Sequence, residues 1–435
     1  MENLCRKSKD NKFGREFVER VANLSLNLCA ALVSAGASVG LSESFAARMC
    51  AAYSLCGAEV AALPSHVQIS VRACGVTITQ LKRIYGANND LSLLEDCSRV
   101  LRLAEGGAEL EEVEEELGRA LMSKPSRFTH FGGGLACGSF CAFFGGSVSD
   151  ALICFIVGLV TAVLSSALSK RGSGGAARTL LLSAAGGALS LILCHAADLL
   201  GIGTSPSLVI LGSIMTVIPG LQLCNALRDL LSGDLLSGAY RILGGLAATA
   251  AIVAGYAFSR VALGFLGTEE VFHPRSGVGA VVVSYITCAV GSAGFCLMFN
   301  ARAKRVLSGA FAALLTYSLY LLALPAGAFI CTFISAFAAY VQAYAFAQVY
   351  KIPSGVFLTP AVVPLLPGAS LYYAAEYSAA GDFGRAAFYG ADCAAYLAAI
   401  AAGLSAAAVV LRILSYARSR VVAVFLRKNT RLHGK

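Results

Sequence analysis

Two short polar runs inside strongly apolar sequence carry residue types that bind small charged molecules. In the first, Asn225, Arg228 and Asp229 are spaced three and four positions apart, so a helix places them on one face. A guanidinium can hold a substrate carboxylate, and a carboxylate can hold an ammonium group or carry a proton. The alternative is an arginine–aspartate pair that only anchors a helix end at a membrane surface.

The second polar run lies 148 positions later, where Tyr373, Glu376 and Tyr377 occupy the corresponding places. Asn225 and Tyr373 could each bond a side-chain hydroxyl of a ligand, while Arg228 faces its carboxylate. We therefore expect one binding site built from both runs.

Asp392 is a further candidate, because it lies roughly two helical turns inside an apolar segment. Ionisable groups at membrane depth are expensive and usually functional. We expect Asp392 to be the leading proton-coupling carboxylate, with Asp229 and Glu376 as the other candidates. Asp150 and Asp198 are at segment ends and are expected to be ordinary boundary residues.

Each polar run follows a Pro-Gly pair, Pro219-Gly220 in the first case and Pro367-Gly368 in the second. Proline inside a helix removes a hydrogen bond and clashes with the carbonyl four residues earlier. In hydrocarbon, the freed polar groups are tolerated only when they are buried in protein or line a cavity. A half-helix that begins after such a break points its positive end at the gap, which suits a carboxylate. A kink that serves packing alone is the alternative.

The two breaks belong to a duplicated segment in which residues 219–255 align with 367–403 without gaps. The matched Asp234 and Asp382 both follow glycine, and we expect them to cap the next helix. A duplicated, interrupted apolar segment is typical of transporters built from two repeats.

Composition indicates a membrane protein. The chain of 435 residues is 57% hydrophobic and 14% charged, with a mean hydropathy of +0.71, and segments of about 20 apolar residues can cross a bilayer. The pattern predicts ten transmembrane helices, over 130–147, 149–169, 178–200, 207–231, 236–259, 278–299, 305–324, 326–349, 355–376 and 386–411.

The positive charges of the loops predict the orientation of these helices. Lysine and arginine are concentrated in alternate loops, which places those loops and both termini in the cytoplasm of a plasma (inner) membrane protein. Five helices separate the repeats, an odd number, so the copies must cross the membrane in opposite senses. We expect inverted five-helix repeats at 128–262 and 278–413, alternating access around a midplane site, and a basic cytosolic tail at 414–435.

Residues 1–127 are expected to form a small cytosolic α/β domain, since helical periodicity there alternates with a strand-like stretch around His66–Arg83. Its acidic run, Glu111–Glu116, is either a solvated face or a gating or docking surface. The chain has no phosphate-binding loop, nucleophile–base set or metal-ligand spacing, and its 15 cysteines are scattered among apolar residues. We therefore predict no enzyme activity, no cofactor, no metal and no nucleic-acid partner.

Several stretches resemble the threonine/serine exporter family. GSIMTVIPGLQLCNALRDLLSGDLLSGAYRIL looks like the family's membrane core, and ALVSAGASVGLSESFAARMC looks like its N-terminal region. FNARAKRVLSGAFAALLTYSLY and VFLTPAVVPLLPGASLYY are similar to a companion module that some bacteria carry separately. The resemblance implies export of small amino acids driven by the proton-motive force. One departure is Leu41-Ser42-Glu43, where family members commonly have Arg-Val-Glu.

The leading hypothesis is a secondary exporter of L-threonine and L-serine, with protons and the lipid bilayer as its other partners. Its site would include Pro219, Gly220, Pro367 and Gly368 with the polar runs beyond them. A succinate-type dicarboxylate exporter is the nearest alternative, and a channel is more distant. Runs of small residues such as GGLAATAAIVAG allow close helix packing, within one chain or in a homo-oligomer.

Overall fold

The computed structural model describes residues 11–432 except 56, 74, 87–88, 171–174, 232, 265 and 267–276. The side chains of Arg228 and of residues 415–432 also lie outside this description. The N-terminal domain, residues 11–127, contains helices α1 (Asn11–Ser34), α2 (Val39–Ala52), α3 (Leu91–Glu105) and α4 (Leu110–Met122), with strands β1 (Ala58–Leu63), β2 (His66–Ala73) and β3 (Val76–Arg83).

The three strands form an antiparallel sheet in the order β1-β2-β3. Alternation along β2 buries Val67, Ile69 and Val71 completely against the helices. Helix α1 packs on β2 and β3. The predicted strand pair is confirmed, whereas β1 was not anticipated.

Helix α2 begins at Val39, and Ser38 occupies the N-cap position with an extended backbone. The hydroxyl of Ser42 donates to the carbonyl of Ser38 within the first turn.

Twelve helices follow, and their order agrees with the predicted apolar segments. Their bounds are α5 (Phe128–Phe143), α6 (Val148–Lys170), α7 (Gly175–Leu199), α8 (Pro206–Ile214), α9 (Gly220–Leu231), α10 (Leu235–Leu263), α11 (Gly277–Met298), α12 (Ala303–Ala323), α13 (Ala328–Tyr350), α14 (Gly355–Val362), α15 (Gly368–Ala379) and α16 (Phe383–Leu432).

The number of clear membrane spans is smaller than the ten predicted. Within the described residues, eight helices are long and apolar enough to cross a membrane, and the bent pair α14–α15 makes a ninth. One of the eight is the α1 segment Gly14–Ser34, which lies in the N-terminal domain. The predicted first span ends early, at Phe143, because Gly145 adopts a left-handed turn with φ +108°. The predicted fourth span is divided at Pro219 into α8 and α9.

Equivalent positions of the duplicated segment make equivalent contacts. A Cβ on Gly255 would lie 2.5 Å from the carbonyl oxygen of Leu180 on α7, and a Cβ on Gly403 would lie 2.5 Å from that of Phe333 on α13. The preceding turns also match, since Gly233 and Gly381 both have positive φ. These glycines permit backbone conformations and close helix approaches that a side chain would obstruct.

The capping prediction holds for one of the two matched aspartates. Asp382 accepts a hydrogen bond from the backbone N–H of Arg385 at 3.1 Å. Asp234 occupies the N-cap position of α10, but its side chain makes no capping bond there.

Candidate functional site

Both predicted breaks are present, and each separates two short helices. Helix α8 ends at Ile214, a turn follows, and α9 begins at Gly220 directly after Pro219. Helix α14 passes through a 3₁₀ turn at Val363–Leu365, and α15 begins at Gly368. The segments Gly355–Leu365 and Gly368–Ser378 are bent by 53°, as expected where proline interrupts the hydrogen-bond ladder.

The structure brings the two breaks into contact. Leu366, the residue before Pro367, packs over Gly220, where a Cβ would lie 3.2 Å from its Cδ1. Ile218, the equivalent residue of the first copy, lies 3.7 Å from the corresponding Cβ position of Gly368. Met215 also packs directly on Gly368. The two Pro-Gly pairs thus form one centre, in which side chains next to each break pack on the glycine of the other.

A small cavity lies on one side of this centre. Its volume of about 10 Å³ has the room of one water molecule. Its lining is almost entirely apolar, and it includes Tyr256 and Tyr372, whose hydroxyl oxygens are 3.5 Å apart. Eight residues of α8, α10 and the α15 segment line it: Ile214, Ile218, Thr249, Ile252, Tyr256, Leu371, Tyr372 and Ala375.

The repeat-related positions on the other side of the centre are apolar and filled. Their side chains belong to a continuous apolar cluster that extends into the N-terminal domain. The three hydroxyl-bearing residues Thr249, Tyr256 and Tyr372 correspond to Leu397, Leu404 and Cys224. This side is therefore sealed by apolar side chains, while the opposite side retains a small cavity beside two tyrosines. The eight counterparts are Val362, Leu366, Leu397, Ile400, Leu404, Leu223, Cys224 and Leu227.

An ion pair lies beside Tyr256, one of the residues that line the cavity. Arg260 Nη1 lies 3.3 Å from Glu376 Oε1 and donates to the Tyr256 hydroxyl at 3.2 Å. The Arg260 side chain is 54% exposed and that of Glu376 25% exposed. The pair joins α10 to α15, so it connects the two copies of the repeat.

A second ion pair is buried at the other end of α10. Arg241 Nε lies 3.1 Å from Asp229 Oδ2, and both side chains are less than 10% exposed. Arg241 also donates to the carbonyl of Ala37 in the N-terminal domain at 3.3 Å. Arg241 and Arg260 are 19 residues apart on one helix, about 28 Å along its axis.

The predicted polar residues therefore separate into two groups. Asp229 pairs at one end of α10 and Glu376 at the other, so the structure does not bring these two together. Asn225 is half-buried on α9, and the side chain of Arg228 lies outside the described residues. Tyr373 packs with Tyr372 and Tyr389, with ring centroids 5.2 Å apart in both cases.

Asp392 lies at the second break. Its Oδ2 accepts a hydrogen bond of 2.6 Å from the hydroxyl of Ser370, two residues beyond Gly368. The repeat-related pair is Gln222 and Gly244, where a Cβ on the glycine would lie 2.7 Å from Gln222 Nε2. The carboxylate thus exists in the second copy only, in contact with the half-helix that begins at the break.

Comparison with known proteins agrees with this architecture. Residues 23–262 match a family model of threonine/serine exporters, and residues 284–410 match a second model, Threonine/Serine exporter, ThrE. The chain belongs to the threonine/serine exporter family.

A curated relative supports the same assignment. The threonine/serine exporter of Corynebacterium glutamicum is 24% identical over 303 residues, which cover 66% of this chain and 60% of that protein. The chain thus matches less than two thirds of that relative's length. No solved structure matches the chain. With its apolar helices, this family member is a multi-pass membrane protein.

One buried acid of this exporter-family chain is more than a boundary residue. Asp150 is 1% exposed and accepts hydrogen bonds of 2.8 Å from the backbone and hydroxyl of Ser147 and from the backbone of Ser205. The sequence signal for these bonds is the Ser-x-x-Asp spacing, which resembles a capping box. Its bond to Ser205 fixes the start of α8, the first half of a broken helix.

The N-terminal domain docks on the loops at the sealed side. Helix α3 supplies most of the contact: the Leu91 N–H donates to the Phe299 carbonyl at 2.9 Å, and Asn300 donates to Asp90. Glu95, which is buried, pairs with Arg305 at 3.2 Å. Two further cations approach the same helix, Arg302 beside Asp96 and Lys304 beside Glu95.

The acidic run on α4 serves the domain itself. Glu111 and Glu114 both pair with Arg20 on α1, and Glu116 pairs with Arg99 on α3. Backbone hydrogen bonding and Arg20 lower the pKa of Glu111 below its usual value. These ion pairs hold α4 against α1 and α3. The contacts between the N-terminal domain and the loops of the membrane helices are made by α3 instead.

Proposed function

We propose that this chain is a secondary exporter of small amino acids, L-threonine and L-serine, driven by the proton gradient across the plasma membrane. Its family membership supports amino-acid export, and the curated relative is named a threonine/serine exporter. The observation that carries the proposal is the contact between two Pro-Gly breaks, with a small cavity on one side and an apolar cluster without hydroxyls at the equivalent positions on the other.

The membrane part is proposed to consist of ten spans in two inverted five-helix repeats. Matching contacts support this arrangement, since Gly255 packs on α7 as Gly403 packs on α13. The short α5 and the broken α8–α9 complete the first repeat. The N-terminal domain contacts Arg241, Phe299–Arg305 and Lys351, all in segments for which the charge pattern predicts a cytoplasmic position. Both termini would then be cytoplasmic.

Alternating access would exchange the roles of the two sides. In the described state, aliphatic side chains of both repeats seal the side that the N-terminal domain caps, and this side would be the cytoplasmic one. In the opposite state the cluster would part and the cavity beside Tyr256 and Tyr372 would close. Because the repeats are related by inversion, one exchange of conformations accounts for both states.

Residue roles follow from position. The half-helices that begin at Gly220 and Gly368 would present backbone N–H groups to a carboxylate. Asp392 would carry the coupling proton, since it touches the second half-helix through Ser370. Asn225 and Tyr373 are proposed to lie along the substrate path, whereas the buried pairing of Asp229 with Arg241 favours a structural role.

Transport by the purified protein tests the proposal. Proteoliposomes loaded with labelled threonine, serine or succinate would be monitored for efflux with and without an imposed pH gradient. We expect gradient-dependent efflux of threonine and serine. Succinate efflux with threonine and serine retained would instead establish a dicarboxylate exporter of the same fold. Flux that neither saturates nor responds to the gradient would indicate a channel.

A further inference from the structure

We propose that Arg260, Glu376, Tyr256 and Tyr372 form a binding site for a zwitterionic hydroxy amino acid, on the side of the breaks that faces away from the N-terminal domain. The inference rests on the proposed function and adds residues that the sequence patterns did not select, apart from Glu376. It is carried by the geometry of an ion pair placed beside two tyrosine hydroxyls.

The ion pair has the charges that a zwitterion needs. Arg260 on α10 and Glu376 on α15 are 3.3 Å apart and partly exposed. An amino acid inserted between them would give its carboxylate to the guanidinium and its ammonium to the glutamate. The number of ion pairs rises, so no charge is left without a partner during binding. Since the two residues belong to different repeats, the ligand would bridge both moving halves.

The hydroxyls account for the third polar group of threonine or serine. Tyr256 receives a hydrogen bond from Arg260 at 3.2 Å, and its oxygen is 3.5 Å from that of Tyr372. A phenol can donate and accept, so the two together can satisfy one alcohol. The ligand's alcohol would bond to these two phenol oxygens, and its charged groups would stay at the ion pair.

The site has no equivalent on the sealed side. Tyr256 corresponds to Leu404, Tyr372 to Cys224 and Arg260 to Ala408. Glu376 corresponds to Arg228. The duplication therefore provided the scaffold, and the two hydroxyls beside the ion pair were placed on one side only.

Ligand analogues separate the three contacts. Binding to the purified full-length protein in detergent would be measured for L-threonine, 3-hydroxybutyrate, which lacks the ammonium, and L-2-aminobutyrate, which lacks the hydroxyl. We expect Arg260→Gln to weaken the binding of L-threonine and of 3-hydroxybutyrate by about tenfold or more, since bonds to charged groups are lost. Glu376→Gln should weaken the binding of L-threonine and leave that of 3-hydroxybutyrate unchanged. Tyr372→Phe should weaken the binding of L-threonine and leave that of L-2-aminobutyrate unchanged.

Arg385→Gln is the matched control. Arg385 pairs with Asp382 and stacks on Tyr377 as Arg260 stacks on Tyr256. Its partners are thus Asp382 and Tyr377, whereas those of Arg260 are Glu376 and Tyr256. Equal losses of affinity for L-threonine in Arg260→Gln and Arg385→Gln would overturn the site. Equal losses of affinity for L-threonine and 3-hydroxybutyrate in Glu376→Gln would overturn it as well. Arg260→Lys keeps the charge and should restore part of the affinity, which guards against a variant that fails to fold.

Efflux assays on the same variants separate this inference from the proposed function. Wild-type protein that exports threonine, with Arg260→Gln and Glu376→Gln exporting equally well, refutes the site and leaves the function standing. Wild-type protein that moves neither threonine nor serine refutes the function and, with it, this site.

Discussion

Arg241 and Asp229 form a buried ion pair at 3.1 Å in the first repeat, and the second repeat replaces both residues by tyrosines. Tyr377 and Tyr389 occupy the equivalent positions, and their rings stack at 5.6 Å with an interplanar angle of 7°. The same helix–helix contact is thus made by charge in one copy and by aromatic packing in the other. The charged version lies on the side that the N-terminal domain covers, where Arg241 also reaches Ala37.

This pair predicts non-additive effects on stability. Asp229→Asn leaves the Arg241 guanidinium buried without its counter-ion, which should cost about 3–5 kcal/mol. The double variant Asp229→Asn with Arg241→Gln should cost less than the two single changes together, because neither charge remains. Thermal unfolding of the four proteins in detergent gives the coupling free energy.

Transport by the same double variant distinguishes the two roles of Asp229. If Asp229 only supports α9, a folded double variant should still export threonine. Loss of export despite wild-type thermal stability would place Asp229 on the substrate or proton path.

Asp392→Asn should uncouple transport from the proton gradient. An asparagine keeps the size of the side chain and can still accept from Ser370, but it cannot take up a proton. Efflux should therefore stop responding to an imposed pH gradient, while exchange of labelled for unlabelled threonine continues. Asp382→Asn, which changes the capping residue at the start of the same helix, is the control and should retain the gradient response. An unchanged response in Asp392→Asn would exclude Asp392 as the coupling group.

Gly403→Ala should destabilise the second repeat. The added Cβ would lie 2.5 Å from the Phe333 carbonyl oxygen, a backbone atom that cannot move aside cheaply. Overpacking of this kind costs about 1–3 kcal/mol, and Gly255→Ala should behave alike against Leu180. Gly390→Ala on the same helix as Gly403 meets nothing within 4 Å and should leave the melting temperature in detergent nearly unchanged. Equal melting temperatures for all three would contradict the described helix contacts.

Local sequence signals predicted much of this fold because they act over short distances. The Pro-Gly breaks, the matched turns at Gly233 and Gly381, and the strand pair β2–β3 all depend on residues close in the chain. Strand β1 was not predicted because its sequence, AEVAAL, favours a helix. Pairing with β2 overrides that preference.

The candidate site was harder to predict because its partners are remote in sequence. Arg260 and Glu376 are separated by 116 positions, and no local spacing indicates that they meet. Asp229 and Glu376 are close to equivalent in the repeat, which suggested one shared site. The half-helices after the two breaks instead reach opposite ends of α10. Charge spacing alone contains no information about that direction.

Docking of the N-terminal domain should depend on Glu95. Glu95→Gln removes the carboxylate that Arg305 faces at 3.2 Å, and leaving a buried cation unpaired should cost about 3 kcal/mol. Hydrogen exchange in α3 and in residues 299–305 should accelerate together. Glu105→Gln on the same helix breaks only the exposed pair with Arg48 and should cost under about 1 kcal/mol. Acceleration confined to α3 would show that the loop does not depend on this contact.

Glu43 should make the N-terminal domain less stable as pH rises. Burial raises the pKa of this carboxyl above its ordinary value of 4.5, opposed by the hydrogen bond from Ala62 N–H and reinforced by the charge of Asp234. A raised pKa in the folded state means that folding favours the protonated form. The stabilisation is therefore complete below pH 4.5 and is lost as pH rises through the folded-state pKa.

Glu43→Gln removes this dependence while keeping an oxygen that can accept from Ala62. The variant should melt at a higher temperature than wild type near pH 8, and the difference should shrink toward zero below pH 4.5. Glu59→Gln, on the exposed face of β1, should show no such convergence. A Glu43→Gln protein that melts below wild type near pH 8 would mean that the charged bond to Ala62 outweighs burial, and the domain would then gain stability from Glu43 at neutral pH.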